Sequence, residues 1–281
     1  MDKNLLKRLG LKIGHYTDLE NLTGVSAFIC EEGADIGIDI RGSNTGTFNT
    51  PNYDPKSASR LAHGVVLTGG STYGLESVFG VMQYLEQKRI GYIMRGGLVV
   101  PGMTGSAIYD IAIGNNVKPT KENGYYAAQT ASDEELSQGN VGVGTGATAG
   151  KWFKGKRMKG GLGIGIKELP GDVIVASFAV TNSIGDIVNP KNNQFYSETG
   201  KQELVNNDLG DDLNRLSGLL DLGTQNTTLA LIATNAVMNK TQLMKVAELA
   251  HDGMARAIHP IHTNMDGDII FALSSHSGDR K

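Results

Sequence analysis

Cysteine is almost missing: Cys30 is the single one in 281 residues. One thiol excludes an internal disulfide framework and any metal site built from several cysteines. Set in an apolar run, it reads as a buried thiol. Proline is scarce, at 7 residues, so the chain is not a Pro/Gly-rich disordered one. No apolar run approaches the ~18 residues of a membrane span. No run of five basic residues occurs, and 26 Lys+Arg against 29 Asp+Glu leave a net charge of −3. That balance argues against a nucleic-acid partner. The opening MDKNLLKRLGLKIG lacks the apolar core of a signal peptide, so a reducing, cytoplasmic address is expected.

What the chain has in excess is glycine: 38 residues, near twice the usual ~7%. Many sit beside β-branched residues, as in GADIGID, NVGVGTGATAG and GGLGIGIKE. Such runs suggest closely packed strands, tight turns, or backbone lining a site. Residues 21–40 read as strand, turn, strand. Residues 41–59 are rich in Asn, Ser, Thr, Gly and Pro and read as a long loop. HGVVLTGG is a short strand, and a helix is expected over 71–88, with Leu75, Val78, Phe79, Met82 and Leu85 as its apolar stripe. Residues 140–150 and 160–168 read as glycine-rich strands, and 172–181 as the clearest buried strand. From 189 to 226 the chain is polar, with one modest amphipathic segment at 211–221, and reads as a surface excursion. An apolar strand starts abruptly at Thr227. A last helix is expected over 240–259, stopped by Pro260, before a final strand at 268–275.

Several segments invite a chemical reading. GVGTGATAGK fails as a P-loop, because the glycine spacing is wrong and Trp152 follows Lys151. Gly144, Gly146 and Ala149 fit the looser dinucleotide fingerprint, yet WFKGKRMKGG follows where a helix is required. His259-Pro260-Ile261-His262 has no third ligand at a sensible spacing, so no metal is expected. Asp266-Gly267-Asp268 lies between the last helix and the last strand. It reads equally as an Asx-type turn and as two carboxylates aimed into a site. At Asn226-Thr227 a loop-like segment becomes a strand at one bond. Composition alone makes that threonine the first β-branched residue of a strand.

In order along the chain stand HGVVLTGGSTYGLES, VPGMTGSAIYDI, NVGVGTGATAGKW, KGGLGIG, FAVTNSIGDIVNP, NTTLALIATNA and HTNMDGDIIFALSS. Together they resemble the L-aminopeptidase/D-esterase family, which includes β-peptidyl aminopeptidases and nylon-oligomer (6-aminohexanoate-oligomer) hydrolases. The resemblance spans residues 14–275. It implies one large α/β catalytic domain with a four-layer αββα sandwich of the N-terminal-nucleophile-hydrolase type. Members of that family cleave themselves once, and the matching bond is Asn226–Thr227, giving chains 1–226 and 227–281. The resemblance further implies Thr227 as nucleophile and Asn182 as oxyanion donor. Lys151 would lie near the new amine, with Asp266 and Asp268 orienting the amine and the lysine. Tyr109, with Gly70 and Ser71, would line the substrate pocket. The Asp-Gly-Asp form and Thr at 227 look like the nylon-oligomer hydrolase branch. No metal or organic cofactor is implied. A small amide or peptide substrate and a homo-oligomer, a tetramer, are.

The physical chemistry is consistent with that assignment. A threonine hydroxyl is a weak nucleophile until a base takes its proton. An α-amine, with an ordinary pKa near ~7.7–8.0, can be that base, and only cleavage creates it. Two carboxylates beside Lys151 are expected to keep it protonated. Two other readings stand beside this one. An acyltransferase like the ornithine acetyltransferases would pass the acyl group to an amine, and a non-catalytic binding protein would keep the chain whole.

Overall fold

In a computed structural model, residues 4–58, 61–152, 157–196, 202–204 and 226–275 are described. Nine strands carry the architecture: β1 (Lys12–Asp18), β2 (Thr23–Ile40), β3 (Gly46–Phe48), β4 (Ala62–Thr68), β5 (Met103–Ala107), β6 (Leu162–Leu169), β7 (Val173–Asn182), β8 (Thr227–Thr234) and β9 (Ile269–Ser274). Three helices pack on them: α1 (Glu76–Gln87), α2 (Lys121–Gln129) and α3 (Lys240–Ala255). The strand order is β6-β7-β8-β9-β2-β4-β5-β3, with β1 on β2.

The long strand β2 joins two sheets. Its first half pairs with β1 and β4, and its second half with β9. The pairing register slips between Ile29 and Ala34. Gly33 sits in that slip at φ +75°, a conformation that favours glycine. The expected strand-turn-strand over 21–40 is therefore one bulged strand. Glu31, Glu32 and Gly33 look like a turn in sequence, but the chain bends without reversing.

Three apolar clusters define the layers. Phe28, Val65 and Leu67 of one sheet meet Phe178, Leu229, Leu231 and Phe271 of the other in a central core. Val25, Ala27 and Val66 face outward onto Val78, Val81 and Leu85 of α1 and Ala127 of α2. Ala230, Ile270 and Ala272 face outward onto Leu243 and Ala247 of α3. Helices, sheet, sheet and helix thus stack in the expected four-layer order. Apolar side chains on both faces explain why β4 and β9 are buried throughout. Cys30 is buried, as expected.

Other expectations shift. The segment 140–150 is not a strand over its length: Gly142–Gly146 is a 3-10 turn and only Thr148–Ala149 is extended. The helix expected over 71–88 begins as a single turn at Ser71–Gly74 before α1. Phe79 lies off its buried face, half exposed, with its ring against Phe48. Helix α3 ends at Ala255, and Ile258–His259 pairs with Asp186 and Ile187. The amphipathic segment 211–221 lies outside the described residues. No helix among those described is long and apolar enough to cross a membrane.

Candidate active site

Thr227 opens β8, and its cross-strand partner on β7 is Asn182. Partners in register point to the same face, so the two side chains emerge together at one end of the sheet. β7 alternates buried and half-buried positions along its length and closes on fully buried Asn182. Asn226 and Thr227 are both buried. Thr227 Oγ donates to the Asn226 carbonyl oxygen at 2.5 Å, so the hydroxyl rests against the group it is expected to attack.

Lys151 reaches this junction from the segment after Thr148–Ala149. Its Nζ donates to Asn226 Oδ1 at 2.8 Å, and more weakly to Asn182 O at 3.3 Å and Asn182 Oδ1 at 3.4 Å. Asn182 Oδ1 also accepts from the Thr148 amide at 3.0 Å. This backbone donor fixes which end of the side-chain amide is oxygen. Asn182 Nδ2 accordingly donates to Tyr109 O at 3.1 Å. A small cleft beside Lys151 is lined by Tyr109, Asp110, Ala112, Ile113, Thr148 and Arg157.

Burial holds the Lys151 ammonium down to about 7, and nearby Arg157 adds to the effect, with Asp266 opposing it. The expected carboxylate clamp on Lys151 is therefore corrected. Its hydrogen-bond partners are amide oxygens, and neutral amides do not offset the cost of burying a charge as a carboxylate would. Asp266 and Asp268 are spent elsewhere. Asp266 Oδ2 accepts from Thr263 N and Oγ, and Oδ1 from Ile184 N. Burial, with Asp268 close by, pushes the Asp266 carboxyl up. Asp268 Oδ1 accepts from Thr228 N at 2.6 Å, and Oδ2 from His262 N at 3.1 Å. The His262 ring Nδ1 lies 2.8 Å from the same oxygen. The turn reading of Asp-Gly-Asp is what these bonds show: the carboxylates pin a turn, and that turn abuts Thr227.

Gly70 and Ser71, expected in the substrate pocket, do not line this cleft, though Gly70 bonds to Asp110, which does. The Gly70 amide donates to Asp110 Oδ1 at 2.7 Å, and the Ser71 amide to Ile108 O. Sequence reasoning missed His262, Thr148 and Asp110. The only signal for His262 was its spacing from His259, read for metal. Among the described residues no group of His, Cys, Asp and Glu is arranged to hold a metal ion.

Helices, two facing sheets and a further helix, layered in this order, form a fold of the Ntn hydrolase type. The fold comparisons agree. An L-aminopeptidase D-Ala-esterase/amidase from Ochrobactrum anthropi, described as a variant of the Ntn hydrolase fold, superimposes with a TM-score of 0.66 at 17% identity, covering 95% of this chain and 72% of that one. A β-aminopeptidase of Burkholderia sp. gives 0.65 at 18%, covering 95% and 70%. The chain matches Peptidase family S58 over residues 9–281 and belongs to that family. Among curated relatives, a protein of Mycobacterium leprae described as an uncharacterised aminopeptidase is 34% identical over 293 residues, covering 95% of this chain and 76% of that protein. The 6-aminohexanoate-oligomer endohydrolase of Kocuria sp. is 31% identical over 278 residues, covering 96% and 74%. The protein is an amide-bond hydrolase.

Proposed function

We propose that this hydrolase is made as a precursor, cuts its own Asn226–Thr227 bond, and then uses the Thr227 hydroxyl and amine on short peptides or ω-amino-acid oligomers. The observation that carries the reading is the Thr227 hydroxyl seated on the Asn226 carbonyl, with Lys151 on the Asn226 side chain. In the first step Thr227 Oγ bonds to the Asn226 carbonyl carbon as its proton passes to neutral Lys151. A lysine held near 7 has that neutral form at working pH. The tetrahedral centre collapses, the carbon–nitrogen bond breaks, and the nitrogen takes a proton as the new Thr227 amine. Water hydrolyses the remaining ester, freeing the Asn226 carboxylate and restoring the hydroxyl.

In turnover the Thr227 amine takes the hydroxyl proton, the acyl group transfers to Oγ, and water releases it. Asn182 Nδ2 stabilises the oxyanion. Tyr109 lines the side from which substrate enters. The 6-aminohexanoate-oligomer endohydrolases among the relatives support a short amide oligomer as substrate. Two fragments, 1–226 and 227–281, stay together because β8, β9 and α3 build two of the three apolar clusters. We further propose a cytoplasmic homotetramer. Mass spectrometry of purified wild type should show both fragments, and Thr227→Ala should leave one 281-residue chain. A wild-type chain still whole after long incubation sinks the reading.

A further inference from the structure

We propose that the backbone N–H of Gly267 is the oxyanion donor of the self-cleavage step. The proposal rests on the self-cleavage reading above. The Gly267 amide donates to the Asn226 carbonyl oxygen at 2.8 Å. That is the oxygen on which negative charge gathers when Thr227 Oγ adds to the carbonyl carbon. Donors that stabilise such charge lie about 2.7–3.1 Å from it and must already be in place.

The turn that carries this amide is fixed through its other groups. Asp266 O accepts from Asn44 N, and Asp268 O from Arg41 N and Gly42 N. The Asp266 carboxylate accepts from Thr263 and Ile184, and the Asp268 carboxylate from Thr228 and His262. Anchored on both sides, Gly267 cannot swing away as charge develops, so little reorganisation accompanies the reaction. The residue type follows from the same closeness. A Cβ at 267 would stand 2.9 Å from Thr227 Oγ and 2.5 Å from Asn44 O. Glycine is what lets the amide and the nucleophile share one carbonyl.

A plainer account exists for the bond itself. Asn226 and Asp266 form a parallel bridge, and the Asn226 amide donates to Met265 O. The Gly267 bond is also a rung of that bridge. Yet regular pairing of β8 with β9 begins only at Leu229–Ile269. At Thr228 a side-chain oxygen of Asp268 takes the amide instead. The rung is therefore isolated at the bond to be cut. A rung that only holds the strand would leave the cleavage rate untouched when weakened in a folded chain. An oxyanion donor would not.

The test replaces the Gly267 amide by an ester, using glycolic acid at 267 in an in vitro translated chain. The N–H is lost, and the Asp266 carbonyl becomes a weaker acceptor for Asn44 N, a change that the same ester's folding and circular dichroism report. With circular dichroism unchanged, self-cleavage should slow about a hundred- to a thousand-fold. A folded ester chain cleaving at the wild-type rate overturns the proposal. Should the ester chain not fold, amide hydrogen exchange decides in the intact Thr227→Ala precursor. Gly267 is expected to exchange slowly there and faster in the cleaved wild type, where Asn226 has become a chain end. A Gly267 amide that exchanges freely in the precursor overturns the proposal as well. Failure of the self-cleavage reading looks different: the wild-type control itself stays whole.

Discussion

Two lysines lie close together in sequence and meet opposite surroundings. Lys159 is reached by solvent, and its Nζ donates to the backbone carbonyls of Gly144 at 3.1 Å and Ala147 at 2.9 Å. Lys151 is 7% exposed, and its shortest hydrogen bond is to the side chain of Asn226, the residue before the expected cut. Burial lowers both, Lys159 to about 8 and Lys151 to about 7. The partners differ in kind. Carbonyls of a folded turn stay where they are, so Lys159 ties the 142–147 segment to the rest of the chain in every state. The Asn226 side chain belongs to a chain end once the bond is cut, so the Lys151 contact is tied to the uncleaved state. One lysine is a strut, and on the proposed reading the other serves a single event.

The comparison breaks most sharply on substitution. Lys151→Met should abolish self-cleavage, leaving one intact chain on a denaturing gel. Lys159→Met should cleave normally. Cleavage by the first variant at the wild-type rate would remove Lys151 from the chemistry. Asn182 comes next, because it borders both the lysine and the cleft. Asn182→Ala in material that has cleaved should lower kcat on an amide substrate by about 10²–10³-fold with little change in KM, the mark of a lost oxyanion donor. A loss confined to KM would make Asn182 a binding residue.

The Lys159 effect is expected in stability. Its replacement removes one of two donors from each carbonyl, Gly144 O keeping Ala147 N and Ala147 O keeping Gly160 N, so about 1 kcal/mol is at stake, read as a lowered melting temperature at unchanged activity. Lys151 shows itself in the pH dependence of stability. Its folded pKa is below the unfolded one, so between about pH 7 and pH 10.5 the unfolded chain binds the extra proton. Stability from this group therefore rises with pH across that window. Lys151→Met should flatten the rise in an uncleaved background, and an unchanged slope would mean the lysine is charged when folded.

Much of this was legible in the sequence, and the losses have causes. The strand 172–181 was plain because apolar residues alternate with the pleat, and the structure gives Val173–Asn182. The Thr227 junction was plain because a polar stretch ends at one bond. Residues 31–33 misled, since two exposed glutamates and a glycine suit a bulge as well as a turn. The segment GVGTGATAG misled because β-branched residues between glycines also fit a tight 3-10 turn. The state of Lys151 was out of reach: it depends on which oxygens surround the ammonium, and spacing does not say whether those are carboxylates or amides. Gly267 was hidden for a related reason, since its contribution is a backbone amide that every residue except proline possesses.

The smallest expected effect separates the turn from the charge. Asp266 opposes burial at Lys151, raising its pKa from a distance. Asp266→Asn removes that opposition, so the lysine drops further below about 7 and its neutral form persists to lower pH. The acid limb of the self-cleavage rate should then move down by a fraction of a pH unit. The rate itself should fall too. Asn has one acceptor oxygen, where the carboxylate serves Ile184 on one side and Thr263 on the other. One of those donors would meet an NH2 group, at a cost of about 1–3 kcal/mol, and the turn holding Gly267 would loosen. Both changes appear in one variant followed by mass spectrometry from pH 5 to 9, the range ~5–9 bracketing a lysine near neutrality. A slower rate with an unmoved limb would make Asp266 a turn residue alone. A moved limb at full rate would make it a charge alone, and leave the turn to Asp268 and Asn44.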